Sequence, residues 1–247
     1  MRRLREKATD PAQYDHPAMD WIAEGYADSS SRVFFKEFLE PLLGNLSGQR
    51  VLDIGCGTGW LSKVVQQHGA EDYIGIDPST NNIAAAQLFY PGTRFKNTRL
   101  EDFETTEKFD LITCIMTTEH IDDLVAAFQS WSRMLLPGGR VVIIAGSVGA
   151  FVKPRFDYEL TLEKASPDET IVHTHRPSLK VDTTDIIRPV SFFEQAAREA
   201  GLEMTSVTPM LPTERFVELA PRYGQYKNDP VFELMTFEKS DKKQGEL

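Results

Sequence analysis

The sequence predicts an α/β protein: a mostly parallel, seven-stranded sheet with an antiparallel last strand and helices on both faces. Three observations lead there. Short apolar runs alternate with helical patterns from Val51 to Ala145, the order of a parallel sheet with crossover helices. The first run, Val51 to Ile54, ends in glycines at alternate positions, Gly55, Gly57 and Gly59, before a helical stripe of Leu61, Val64, Val65 and His68. A second run, Tyr73 to Asp77, closes on an acid.

The elements follow in order. Residues 1–17 are polar and broken by Pro11 and Pro17, which predicts a loosely ordered start. Ala18 to Ala27 and Ser31 to Leu43 read as helices, the second with Val33, Phe34, Phe38 and Leu42 on one stripe. The first strand, its turn and helix, and the second strand come next. Pro78-Ser79-Thr80-Asn81 is a capping cluster for a helix from Asn82 to Phe89, which stops at Pro91-Gly92. Arg94 to Lys96 is a third strand. Phe109 to Ile115, apolar on both faces, is a central parallel strand. Asp122 to Leu136 is an amphipathic helix stopped by Pro137-Gly138-Gly139, and Arg140 to Ala145 is the fifth strand.

Gly146 to Pro189 breaks the rhythm. Roughly 40 residues without structure are uncommon inside a compact domain, so this reads as an insertion with some structure of its own, lying over the strand ends. Ser191 and Glu194 have capping-box spacing for a helix to Ala200, and Gly201 is the expected left-handed residue after it. Leu202 to Thr208 and Val231 to Glu238 are the last two strands, a hairpin that makes one edge of the sheet mixed. A polar tail follows.

Bulk properties narrow the partners. The chain has 247 residues, 41% apolar and 26% charged, with a net charge of −10. That sign repels nucleic-acid phosphates. No run reaches the ~18–20 apolar residues of a membrane span. The basic start is not followed by an apolar stretch, which argues against a secretory signal. Two cysteines, Cys56 and Cys114, without a C-x-x-C pair, predict a reduced, cytoplasmic protein. The sequence leaves the oligomeric state open.

The glycine turn carries the chemistry. Glycine permits positive φ and lets another molecule approach the backbone, and the following helix aims free N–H groups at it. An acid ending the second strand, Asp77, is placed to accept from ribose hydroxyls. A dinucleotide fingerprint wants a third glycine at position 60. Trp60 stands there, which disfavours a nicotinamide cofactor and favours another adenosine ligand.

D-I-G-C-G-T-G over 53–59 followed by G-I-D over 75–77 resembles the class I S-adenosylmethionine-dependent methyltransferases. Phe109 to Cys114 with Glu119-His120-Ile121 is similar to the branch of the ubiquinone and menaquinone biosynthesis enzymes. The resemblance covers roughly 30–147 and resumes over 191–208. It implies one Rossmann-like methyltransferase domain over 1–247. Its parts are an N-terminal helical lid at 1–46, a cofactor-binding core at 47–147 and a substrate-cover insertion at 148–190. A C-terminal helix and strands at 191–238 and a tail at 239–247 complete it.

It also implies a set of roles. S-adenosyl-L-methionine is the cofactor and S-adenosyl-L-homocysteine its product. Asp53 serves the methionine amino group, directly or through water. Gly55, Cys56 and Gly57 offer backbone contacts, and Asp77, with Pro78 after it, holds the ribose. Leu100 with Glu101 or Asp102 meets the adenine, and Ile115 ends the strand facing the methyl group. Arg32 is a partner for the cofactor's carboxylate, and Tyr14, Trp21 and Tyr26 are further lid candidates. The resembled branch has an acid where this chain has Met116.

The acceptor is then a small molecule attacked through oxygen, nitrogen or carbon, defined by the insertion and the C-terminal loop. The absence of Asn-Pro-Pro-Tyr after the fourth strand argues against amide and exocyclic-amine methylation. If the acceptor must lose a proton, His120 is the first candidate base. His173 and His175, two apart on an extended segment, face one way and are further candidates for a base or substrate contact. Without a nearby acid or cysteine they are a poor metal signature, so no metal is expected. A module that binds the cofactor without transferring its methyl group is the alternative reading.

Overall fold

A computed structural model describes residues 2–14, 30–178 and 180–239, with the side chains of residues 2–4 and 14 outside the description. The predicted helix Ala18–Ala27 with Trp21 and Tyr26, the Tyr14 side chain and the tail from 240 onward lie outside the described residues.

Seven strands form one sheet: β1 (Arg50–Ile54), β2 (Asp72–Asp77), β3 (Arg94–Asn97), β4 (Phe109–Ile115), β5 (Leu135–Gly146), β9 (Leu202–Met210) and β10 (Phe232–Lys239). Their order is β3-β2-β1-β4-β5-β10-β9. The first five are parallel, and β10 runs antiparallel to both β5 and β9. Strand order reverses between β1 and β4, and a doubly wound sheet opens its ligand crevice at such a point.

Alternation along the strands gives each face its own core. Val51, Tyr73, Leu111 and Val142 meet α2 (Ser30–Leu43), α3 (Trp60–Gln67) and α8 (Glu214–Leu219) on one side. Phe34 of α2 stacks on Phe216 of α8 at 4.2 Å between ring centres. Leu52, Ile74, Ile112 and Ile143 meet α5 (Leu124–Met134) and α7 (Val190–Glu199) on the other. There Trp131 and Phe128 are fully buried edge to face, 4.7 Å apart. Each such ring contributes about 1.5–3 kcal/mol by leaving water. Ahead of α4 (Thr80–Phe89), Ser79 caps the helix by accepting from Asn82 N, as the sequence predicts.

Two local expectations are corrected. Residues 2–14 are not a loose start: α1 (Arg2–Ala8) is followed by a short 3-10 turn, Pro11–Tyr14. Ala8 is fully buried, and Arg5 bonds to Glu169 and Asp122, so distant partners order a polar segment. The helix near Ser191 begins a residue earlier, with Pro189 extended at its N-cap and no side-chain cap. Glu194 instead pairs with Arg198 one turn on, at 2.9 Å.

The segment after β5 builds α6 (Val148–Phe151) and a second, antiparallel sheet of β6 (Glu159–Ser166), β7 (Glu169–Arg176) and β8 (Val181–Ile187), in that order. α1 packs against β7 and β8. Gln13 Oε1 accepts the Thr184 N–H on the outer edge of β8.

Candidate active site

A cavity of about 260 Å³ opens at the carboxyl ends of β1, β2 and β4, at the topological switch point. One wall is the glycine turn, the end of β2 and residues 98–101. The facing wall comes from the segment after α1 (Thr9, Asp10, Pro11, Gln13) and from Ser31, Arg32 and Phe35 of α2. Met116, Thr117, His120 and Ile121 close the end beyond β4.

The turn's glycines have definite tasks. Gly55 has φ +69°, and a Cβ there would stand 2.1 Å from Thr117 Oγ1, so the β1 and β4 loops touch only because the side chain is missing. Gly57 has φ +53°, and a Cβ there would meet nothing within 4 Å. Its backbone therefore lies open beside the cavity. The Gly57 N–H donates to Asp77 Oδ2 at 2.9 Å, while Asp77 Oδ1 accepts from Ser79 N at 2.9 Å and from Asn82 Nδ2 at 3.3 Å. Burial pushes the Asp77 carboxyl upward, and these donors oppose it. Oδ1 is thus filled by two donors, while Oδ2, with one, keeps a lone pair for a ligand hydroxyl. Cys56 also lines the cavity, its thiol pushed up by burial.

Asp53 is placed differently from its expected role. It does not line the cavity. Thr113 sits directly across from it on β4 and donates to Oδ1 at 2.7 Å, and Tyr73 OH donates to Oδ2 at 2.7 Å. The carboxylate braces three strands beneath the turn. Burial, only partly offset by these hydroxyls, pushes it from 3.8 up to about 6. Between those values the folded chain holds a proton that the unfolded chain has released, so this stabilising contribution is full below about pH 4 and is lost as pH rises through 6. The stability of Asp53→Asn relative to the parent should therefore rise by about 2–3 kcal/mol between pH 4 and pH 7. Urea melts across that range measure it; a pH-independent difference removes the claim.

Of the other candidates, Pro78, Leu100, Glu101 and Ile115 line the cavity, with Arg99 beside them. Asp102 is exposed and outside it, which separates it from Glu101. Arg32 is buried in the wall, donates to Thr58 Oγ1 at 2.6 Å and lies 5.7 Å from the centre of the Trp60 ring. Trp60 thus packs where a dinucleotide fold needs its third glycine. Met116 holds φ +53°, a conformation unusual for a side chain of its size, at the end of β4 where the resemblance puts the methyl group.

His120 ends a 3-10 turn (Thr118–His120) and is gripped from two sides. Its Nδ1 is 3.1 Å from Ala8 O and 3.4 Å from Gln13 Nε2; its Nε2 is 3.7 Å from Asp185 Oδ1 on β8. Protonated on Nδ1, the ring donates to Ala8 O and presents Nε2 as the basic nitrogen. The loop under it is fixed by Arg188, which sequence reasoning passed over. Arg188 donates to the carbonyls of Thr118, Ile121 and Asp122 at 2.8–3.0 Å and to Glu169 at 2.9 Å. Buried Glu119 accepts the Gly146 N–H at 2.6 Å and ties the loop to the end of β5.

His173 and His175 do face one way, but outside the cavity lining. By strand alternation they share the face of Thr184 and Asp182, opposite the face that carries Asp185. His173 Nδ1 lies 3.0 Å from Thr184 Oγ1 and His175 Nδ1 lies 2.7 Å from Asp182 Oδ1.

Comparison with known proteins gives a consistent picture. A family model described as a methyltransferase domain matches residues 27–207. A ubiquinone biosynthesis O-methyltransferase of Bradyrhizobium sp. (strain ORS 278) is 37% identical over 105 residues, 41% of each chain. One of Nitrobacter winogradskyi is 40% identical over 101 residues, 39% of this chain and 38% of that one. The matched stretch thus spans about two fifths of these relatives. Among solved structures, an S-adenosylmethionine-dependent methyltransferase from Mesorhizobium loti superposes with a TM-score of 0.65 at 19% identity, over 83% of this chain and 97% of that one. A Listeria monocytogenes structure described as a putative enzyme of the same kind gives 0.68 at 19%, over 84% and 99%. The fold is shared with these structures, and over most of its length the chain belongs to the methyltransferase domain family.

Proposed function

We propose that this protein transfers a methyl group from S-adenosyl-L-methionine to a small-molecule acceptor through oxygen, nitrogen or carbon. The observation that carries the reading is a cavity at the switch point with the open Gly57 backbone and the buried Asp77 carboxylate on one wall. The relatives named as O-methyltransferases support it, and favour oxygen as the acceptor atom. A cytoplasmic location goes with it, as both cysteines are free and buried.

The residues present fit the cofactor. Asp77 takes a ribose hydroxyl, Leu100 and Glu101 the adenine, and Arg32 the methionine carboxylate, with Gly55 to Gly57 along the chain between. When bound, the cofactor supplies a methyl group already activated by its sulfonium. What remains is to hold an acceptor in line with it, and such alignment removes about 7–11 kcal/mol of barrier. Residues 9–13 and α2 help to exclude water from the cavity. His120 Nε2 accepts the proton that an oxygen or nitrogen acceptor must lose, and Asp185 stabilises the resulting imidazolium.

Titration calorimetry with S-adenosyl-L-methionine tests the first half. Micromolar binding is expected, and no binding at millimolar ligand ends the reading. Turnover over a panel of phenols, amines and acidic carbon nucleophiles tests the second. Cofactor binding without methylation of any acceptor in the panel selects a binding module instead.

A further inference from the structure

Among the described residues, six buried side-chain polar atoms lack a hydrogen-bond partner, and four of them gather at the second sheet: Arg155 Nε, Arg176 Nε, Thr174 Oγ1 and Thr183 Oγ1. Strand register explains the grouping. Thr174 pairs with Thr183 across β7 and β8, and Arg176 follows two places along the same face of β7. Arg155 arrives from the loop after α6, its guanidinium 3.8 Å from the centre of the Phe151 ring. It is 7% exposed, yet makes no hydrogen bond or ion pair with any described residue. The guanidinium of Arg176 lies 5.2 Å from the Tyr158 ring. Tyr223 is close enough to feel Arg155, Arg176 and Tyr158.

A buried cation without a hydrogen-bonded counter-charge is costly, and proteins keep one only where something compensates. The unpaired atom in both arginines is Nε, which belongs to the side-on edge that takes an oxyanion with two parallel bonds. None of the four residues lines the cavity, but the cluster is joined to its wall through packed side chains. Asp185 lies on the same sheet face and reaches His120, and Phe35 of the cavity wall meets Phe232, which meets Phe151 beneath Arg155. Tyr223, Asp185 and Tyr158 favour the Arg155 cation, and Arg176 opposes it.

We propose that Arg155 and Arg176, with the Thr174 and Thr183 hydroxyls, form the acceptor's recognition subsite, and that the acceptor is a small molecule carrying an oxyanion, carboxylate or phosphate. This rests on the methyl-transfer reading and adds to it the chemical class of the substrate. The aromatic side chains of Phe151, Tyr158 and Tyr223 suit an acceptor whose charged group is attached to a flat ring.

The test is calorimetric titration of the protein saturated with S-adenosyl-L-homocysteine, using sodium benzoate, phenyl phosphate and, as a neutral match, benzamide. At least one anion should bind at least tenfold more tightly than benzamide. Arg155→Met should weaken that anion at least tenfold while the affinity for S-adenosyl-L-homocysteine stays within twofold. Arg176→Met, at a less buried position, gives the same readout should the first variant fail to fold. Benzamide binding as well as the anions, or anion affinity unchanged in both variants, overturns the subsite. Failure of both anions to bind when S-adenosyl-L-homocysteine binds normally overturns it and leaves the methyl-transfer reading standing. Failure of S-adenosyl-L-homocysteine itself removes both.

Discussion

Replacing His120 by alanine is expected to lower turnover about 10²- to 10⁴-fold, the usual contribution of a positioned general base. The affinity for S-adenosyl-L-methionine should change far less. The ring is one of many groups lining the cavity, whereas its Nε2 is the basic nitrogen that the contact with Ala8 O leaves for proton transfer. Asp185→Asn should act through the same atom with a smaller loss, because the amide keeps a polar group 3.7 Å from Nε2 but removes the charge that favours imidazolium. Two measurements separate this from a structural role. The pH–rate profile of the parent should carry a limb that is missing in His120→Ala, and the affinity of Asp185→Asn for S-adenosyl-L-homocysteine should stay close to the parent. An unaltered rate in His120→Ala means that the proton leaves by another route or that the acceptor attacks without losing one.

What could be read from the sequence, and what could not, divides by the range of the interactions. The strand–turn–helix at 51–67 and the acid at 77 are local patterns, fixed by alternation, glycine spacing and an apolar stripe, and they locate one wall of the cavity. The facing wall is not local. Residues 9–13 look like linker until Arg5 finds Glu169 and Gln13 finds Thr184, more than a hundred residues away. The second sheet hides for a different reason. On β7 both Ile171 and Val172 are buried, so the strand lacks the alternation that marks a half-exposed one, and on β6 most positions have at least part of their surface in water. Arg155 and Arg188 are one residue type with opposite surroundings, one with its buried Nε unpaired among the described residues and one with several hydrogen bonds; nothing in the neighbouring sequence distinguishes them. Glu101 and Asp102 differ by a single place in a turn, and only coordinates show which side chain reaches the cavity.

Asp77→Ala should have a double effect, because the same carboxylate organises the turn and faces the ligand. Without it the Gly57 and Ser79 N–H groups lose their acceptor, each at about 1–3 kcal/mol unless water enters. Stability should therefore fall even in the absence of ligand. Cofactor affinity should fall by a further ~1–3 kcal/mol, about 5- to 150-fold, for the lost charged acceptor. The two effects separate in a thermodynamic cycle. In the parent protein, S-adenosyl-L-homocysteine should bind more tightly than its 2′-deoxy analogue, because one hydroxyl reaches Asp77. In Asp77→Ala the two should bind alike, since the hydroxyl no longer has its partner. A disordered turn lowers the affinity of both ligands and preserves their ratio. If the ratio survives the substitution, the ribose is held elsewhere and Asp77 serves the fold alone.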